Sequence, residues 1–200
     1  NNTLFVVADK PMRLGATGNE LVAWATNNNG EGLPTEDGNS ATSNYAGAFY
    51  PSCLTTDLGG NTVVAPPSHM MVRTILRSDA VSYPWLAPAG TRRGGITNAT
   101  NVGYITAEGE FQAVALNEGH RDTLYNVKVN AIRFFTGAGL VNFGQKTRAR
   151  NASALDRINV ARLVIYLRSQ LNKLAKPYIF EPNDKITRDE IKQAAESLLL

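Results

Sequence analysis

The fold of this chain is decided by residues 124–150, LYNVKVNAIRFFTGAGLVNFGQKTRAR. At the centre of this stretch two apolar runs, Ala131–Thr136 and Leu140–Phe143, are joined by Gly137-Ala138-Gly139. Each run is too short for a helix and rich in aromatic and β-branched residues, so both read as buried strands. A short link carrying two glycines suits a hairpin, because glycine takes positive φ at low steric cost. The glycines do not read as a phosphate cradle, which needs a helix N-terminus directly behind it; a strand-like run follows instead. The second strand leads into a basic segment, Lys146, Arg148 and Arg150, ahead of the longest helical pattern in the chain.

That pattern covers about 154–174. Ser153 stands at the N-cap position and Asp156 in the first turn, where the helix dipole favours an anion. Val160, Leu163, Val164, Leu167, Leu171 and Leu174 form a helical apolar stripe, and Leu155, Ile158 and Ile165 widen it, so burial on two sides is expected. Pro177 stops the helix. Tyr178-Ile179-Phe180 then reads as a short strand, and Thr187 with Glu190 as a capping box for a last helix. The core face of that helix would be Ile191, Ala194, Ala195, Leu198 and Leu199.

Towards the N-terminus, Leu4–Ala8 reads as a strand, residues 20–26 as a helix capped by Asn19, and residues 27–44 as a polar loop. Residues 46–54 return to strand character, with Pro51 pushing that strand towards a sheet edge. Strand, helix and strand in this order predict a parallel unit with a right-handed crossover. Asp57–Asn61 is a turn, 62–65 a short strand, and Ser68 the expected cap of a helix over 69–77. Tyr83–Gly90 is an apolar loop held open by prolines, with Trp85 as a candidate interface anchor. Residues 103–116 are strand-prone, and a short helix at 118–126 feeds the hairpin. The fold class is therefore α/β: a mixed-sheet core packed by helices, with the parallel unit near the N-terminus and the long helix at 154–174.

Composition narrows the function. The chain has 200 residues, enough for a substantial core, and only 18% are charged, which is compatible with a surface covered by partners. The single cysteine, Cys53, excludes disulfide stapling within the chain and reads as a small half-buried hydrophobe. No apolar run approaches the roughly 20 residues of a spanning helix, so no membrane partner is expected. Net charge is +3 with an isoelectric point near 9.1. Aromatics do not interleave with Arg92-Arg93 or with Lys146-Arg148-Arg150, so a solvated or subunit-facing patch fits better than a nucleic-acid surface. The cluster's side chains are expected to project outward. His69 beside Ser68 lacks an acid partner and an elbow motif, and His120 lacks a companion at metal-ligand spacing. No catalytic, cofactor or metal constellation is therefore assigned. The residues alone lead to a mixed α/β assembly protein, with an α/β enzyme holding a ligand at the end of the parallel unit as the rival.

The order of motifs resembles the tail sheath proteins of contractile bacteriophages, with relatives in R-type pyocins and, more distantly, type VI secretion sheaths. The residues that carry the resemblance begin with Tyr45-Ala46, Phe49-Tyr50-Pro51, Val64–His69 and Arg77-Ser78-Asp79. They continue through Trp85–Ala89, Leu124-Tyr125-Asn126, Val129–Arg133, Gly137-Ala138-Gly139 and Gly144–Thr147. Arg157–Leu163 and Phe180–Asp184 close the series, which spans 45–200, whereas residues 1–44 match only in outline. Departures are local. No glycine separates Ser68 from His69, Lys128 stands where a helix-ending glycine is common, Asn142-Phe143 replaces valine-tryptophan, and Ala161 replaces an arginine.

The resemblance implies one sheath core domain over 1–200, and the three leucines at 198–200 add the expectation of a fragment truncated at both ends. It further implies a non-enzymatic structural protein of the virion tail, present in the host cytoplasm during assembly. Its partners would be other sheath subunits in stacked rings, the tail tube, and baseplate and tail terminator proteins. Lys146, Arg148, Arg150 and Trp85 are the candidate subunit or tube contacts.

Overall fold

The computed structural model describes residues 4–9, 43–149 and 151–199. The helix expected at 20–26, most of the polar loop after it, and Arg150 lie outside them. The described chain builds two four-stranded sheets. The first has the order β1 (Val6–Asp9), β2 (Ala46–Tyr50), β7 (Val129–Phe135) and β8 (Gly139–Asn142). The second has the order β4 (Thr62–Ala65), β3 (Cys53–Thr56), β5 (Asn101–Ile105) and β6 (Phe111–Ala113).

In the first sheet β1, β2 and β7 are parallel and β8 returns antiparallel, which makes it the expected mixed sheet. The β1–β2 pairing is the parallel pair predicted from the N-terminal pattern. The β7–β8 hairpin forms as read, with Gly137 and Gly139 at φ 83° and 73°, values that glycine adopts without a Cβ clash.

Pro51 acts differently from expectation. Residues 46–54 form two strands in two sheets, and β2 is internal, paired on both sides. Proline offers no N–H to a ladder, so pairing stops there and the chain passes to β3. A cis Tyr50–Pro51 bond lies at the crossing. The strand-prone stretch at 103–116 is likewise two strands, β5 and β6, joined by a turn with Gly109 at φ 87°.

Helix α1 (Pro67–Val81) runs longer than its apolar pattern and packs on β1 and β2. Ser68 is not its cap. Its N–H and hydroxyl both donate to the Asp9 carboxylate, each at 2.6 Å, so an acid at the end of β1 satisfies the helix start. Two short helices follow, α2 (Gly90–Arg93) and α3 (Glu118–Asn126), the latter capped by the Asn117 side chain, which accepts from the His120 N–H at 2.8 Å.

The long helix starts later than predicted. Residues 154–156 are a 3₁₀ turn, and α4 runs Ile158–Ala175. Only Ile158, Ala161 and Arg162 are buried on it among the described residues, so the expected burial on two sides is not met there. Tyr178-Ile179-Phe180 is not a strand either: Lys176–Tyr178 is a second 3₁₀ turn, and Phe180 is 97% exposed. Beyond it, α5 (Lys185–Leu199) is capped by Asp184, whose carboxylate accepts the Thr187 N–H at 2.8 Å, and not by a Thr187–Glu190 box. No described residue of α5 is fully buried.

Two apolar clusters hold the sheets together. One groups Phe49, Cys53, Met70, Met71, Ile132 and Ile158 with neighbours from both sheets, α1 and α4. The other gathers Tyr50, Tyr104, Val114, Leu124 and Val129. Each of these large side chains contributes about 1.5–3 kcal/mol on burial. Cys53 is fully buried rather than half-buried, and burial pushes its thiol pKa up to about 12.

A buried amide joins these layers to the segment behind the hairpin. Asn130 donates to the carbonyls of Ala48 (3.0 Å) and Lys146 (2.8 Å), and accepts the Lys146 N–H at 2.8 Å. Gly144 makes room for it, since a Cβ there would lie 2.6 Å from the Asn130 Oδ1. Asn130→Leu should strand these backbone groups at about 1–3 kcal/mol each, giving a loss of 3 kcal/mol or more. Urea unfolding followed by circular dichroism checks this.

Candidate assembly surface

The four sequence-derived contact residues do not form one patch. Trp85 is half-buried, stacked on Tyr83 at 4.8 Å between ring centroids and tilted against Tyr166 of α4 at 5.2 Å. It pins the proline-rich loop to α4. The same region holds a partly buried ion pair between Asp79 on α1 and Arg162 on α4, so Arg77-Ser78-Asp79 and Arg157–Leu163 meet in space.

The basic segment is held by its backbone. The Arg148 N–H donates to Ala46 at 2.8 Å, the Thr147 N–H to Asp156 at 2.9 Å, and the Ile158 N–H to Gln145 at 2.8 Å. The segment therefore fills the seam between β2 and the start of α4. This placement overturns the outward projection for Arg148. Arg148 is 8% exposed and its guanidinium donates to the Val127 carbonyl at 2.8 Å. Burial works against its charge and lowers its pKa from the ordinary arginine value. In a regular strand Lys146 and Arg148 would share a face; here each makes only an isolated bridge, to Arg157 and to Ser43, and the two side chains part. Lys146 differs: it is half-exposed, with its ammonium 4.0 Å from the Tyr125 ring centroid.

Beside Lys146 lies a cleft of about 450 Å³, lined by Ala87, Ala89, Arg121, Tyr125, Phe143 and Gln145 among others. Sequence reasoning missed it, since α3, the segment after β8 and the proline loop contribute separately. Arg121 and Tyr125 sit one helical turn apart on α3, which is the local signal that was available. The Arg121 guanidinium lies 5.0 Å from the Phe143 ring and pairs with Glu118 at 3.2 Å. Tyr125 accepts from Arg157 at 2.7 Å through its hydroxyl. The Gln145 Oε1 is buried with no hydrogen-bond partner among the described residues.

Lys128 explains one departure from the motif series. It follows α3 with φ 63°, the left-handed conformation in which a glycine carries no Cβ penalty. Its ammonium donates to the Ala149 carbonyl, which ties the helix end to the basic segment. His120 is half-buried. Among the described residues no three His, Cys, Asp or Glu side chains gather as metal ligands, and no helix is long and apolar enough to cross a membrane.

This arrangement of two sheets packed by helices has counterparts among solved structures. It superposes on the helical sheath of the anti-feeding prophage in its contracted state with a TM-score of 0.69, covering 98% of this chain and 44% of that one at 20% identity. No family model matches the sequence. Curated relatives do. The tail sheath protein of Vibrio phage KVP40 is 39% identical over 122 residues, 61% of this chain. That of Enterobacteria phage T4 is 34% identical over 116 residues, 58% of this chain. Over this stretch the chain is homologous to phage tail sheath proteins, as the motif series implied. The matched stretch spans 17% and 16% of those relatives' lengths, so the chain corresponds to a small part of each.

The split within the basic segment has a measurable consequence. Arg148→Glu places an unpaired carboxylate in a closed seam and should cost about 3–5 kcal/mol. Lys146→Glu should cost under about 1 kcal/mol, as exposed charges do. Guanidinium unfolding of the two variants side by side separates them.

Proposed function

We propose that this chain is part of the core of a contractile tail sheath subunit, a structural protein of the virion tail without enzymatic activity. The observation that carries the reading is the agreement between sequence relatedness to tail sheath proteins and a sheath fold extending over 98% of the chain. Subunits would stack as rings in a helical array around the tail tube, meeting baseplate proteins at one end and terminator proteins at the other. Assembly would take place in the host cytoplasm.

The physical basis is a rigid-body switch. A subunit with a closed double-sheet core keeps its shape while its contacts with neighbours change. A small free-energy difference per subunit, summed over many, drives the tube through the cell envelope. The half-exposed stripe of α4 and the exposed Ile179, Phe180 and Ile186 are apolar surface that such neighbours would cover. Trp85, Lys146 and Arg150 remain proposed subunit or tube contacts, whereas Arg148 acts within the fold. The enzyme alternative gains no specific support. At the carboxyl end of β1, where a ligand of an α/β fold would sit, Asp9 is bonded to Ser68.

Negative-stain microscopy of the full-length protein tests this reading. Tubes or rings of uniform diameter are the expected result. Compact oligomers accompanied by substrate turnover would refute it.

A further inference from the structure

We draw no further inference here: the strongest candidate, the largely apolar cleft of about 490 Å³ between β7 and the β5–β6 strands, where Phe134 stays open, carries nothing because nothing in the structure shows what covers it.

Discussion

The structure depends on a single buried amide. Asn130 lies on the strand that joins the two halves of the first sheet and ties β2, β7 and the chain behind β8 into one body. A side-chain amide in this position satisfies main-chain groups that no ladder reaches, and in a closed interior such groups have no water to turn to. The requirement spreads. Gly144 has to lack a side chain to let the amide in, and Asn142 donates to the carbonyls of Pro88 and Gly144, each at 2.9 Å, fixing the proline loop against the same seam. With residues 145–148 held in this way, α4 starts where it does and the cleft beside Tyr125 takes its shape.

The same constraint sorts the basic residues into two roles. Arg148 is a structural cation, buried and donating to a carbonyl at the end of α3. Lys146, two residues earlier, keeps its charge near solvent against an aromatic ring. Charge content alone does not distinguish them, although one belongs to the interior and the other to the surface. The Asp79–Arg162 pair is a similar case, in which a charged residue on a helix holds two elements in register instead of facing water.

Apolar surface is left open in a way that fits an assembly component. Two dense clusters close the interior, while apolar side chains stay open at the surface, among them Val72, Leu76 and Val81 on α1, Phe134 on β7, and Ile179, Phe180 and Ile186 towards the C-terminal helix. Leu171 is 38% exposed and Ile186 70%. A body with a packed interior and apolar surface left open can keep its shape as neighbours come and go, which is the property a rigid-body switch needs.

Much of this was legible in the sequence. Alternating or continuous apolar runs gave β1, β4 and the β7–β8 hairpin, and the glycines at its turn marked the hairpin's boundary, because these signals act within a few residues and need no partner. The motif series likewise led to the sheath relatives. What the sequence could not settle were the features set by distant chain. An aspartate fifty-nine positions away caps α1, which made Ser68 look like the cap. Pro51 divides two internal strands rather than marking an edge, because a proline shows where pairing stops but not what lies beyond it. The apolar stripe of α4 promised burial on two sides; hydrophobicity states only that a surface seeks cover, and whether that cover comes from this chain is decided by tertiary structure. Arg148 is the clearest case, since its burial follows from where the seam closes, a property that no local pattern around residue 148 records.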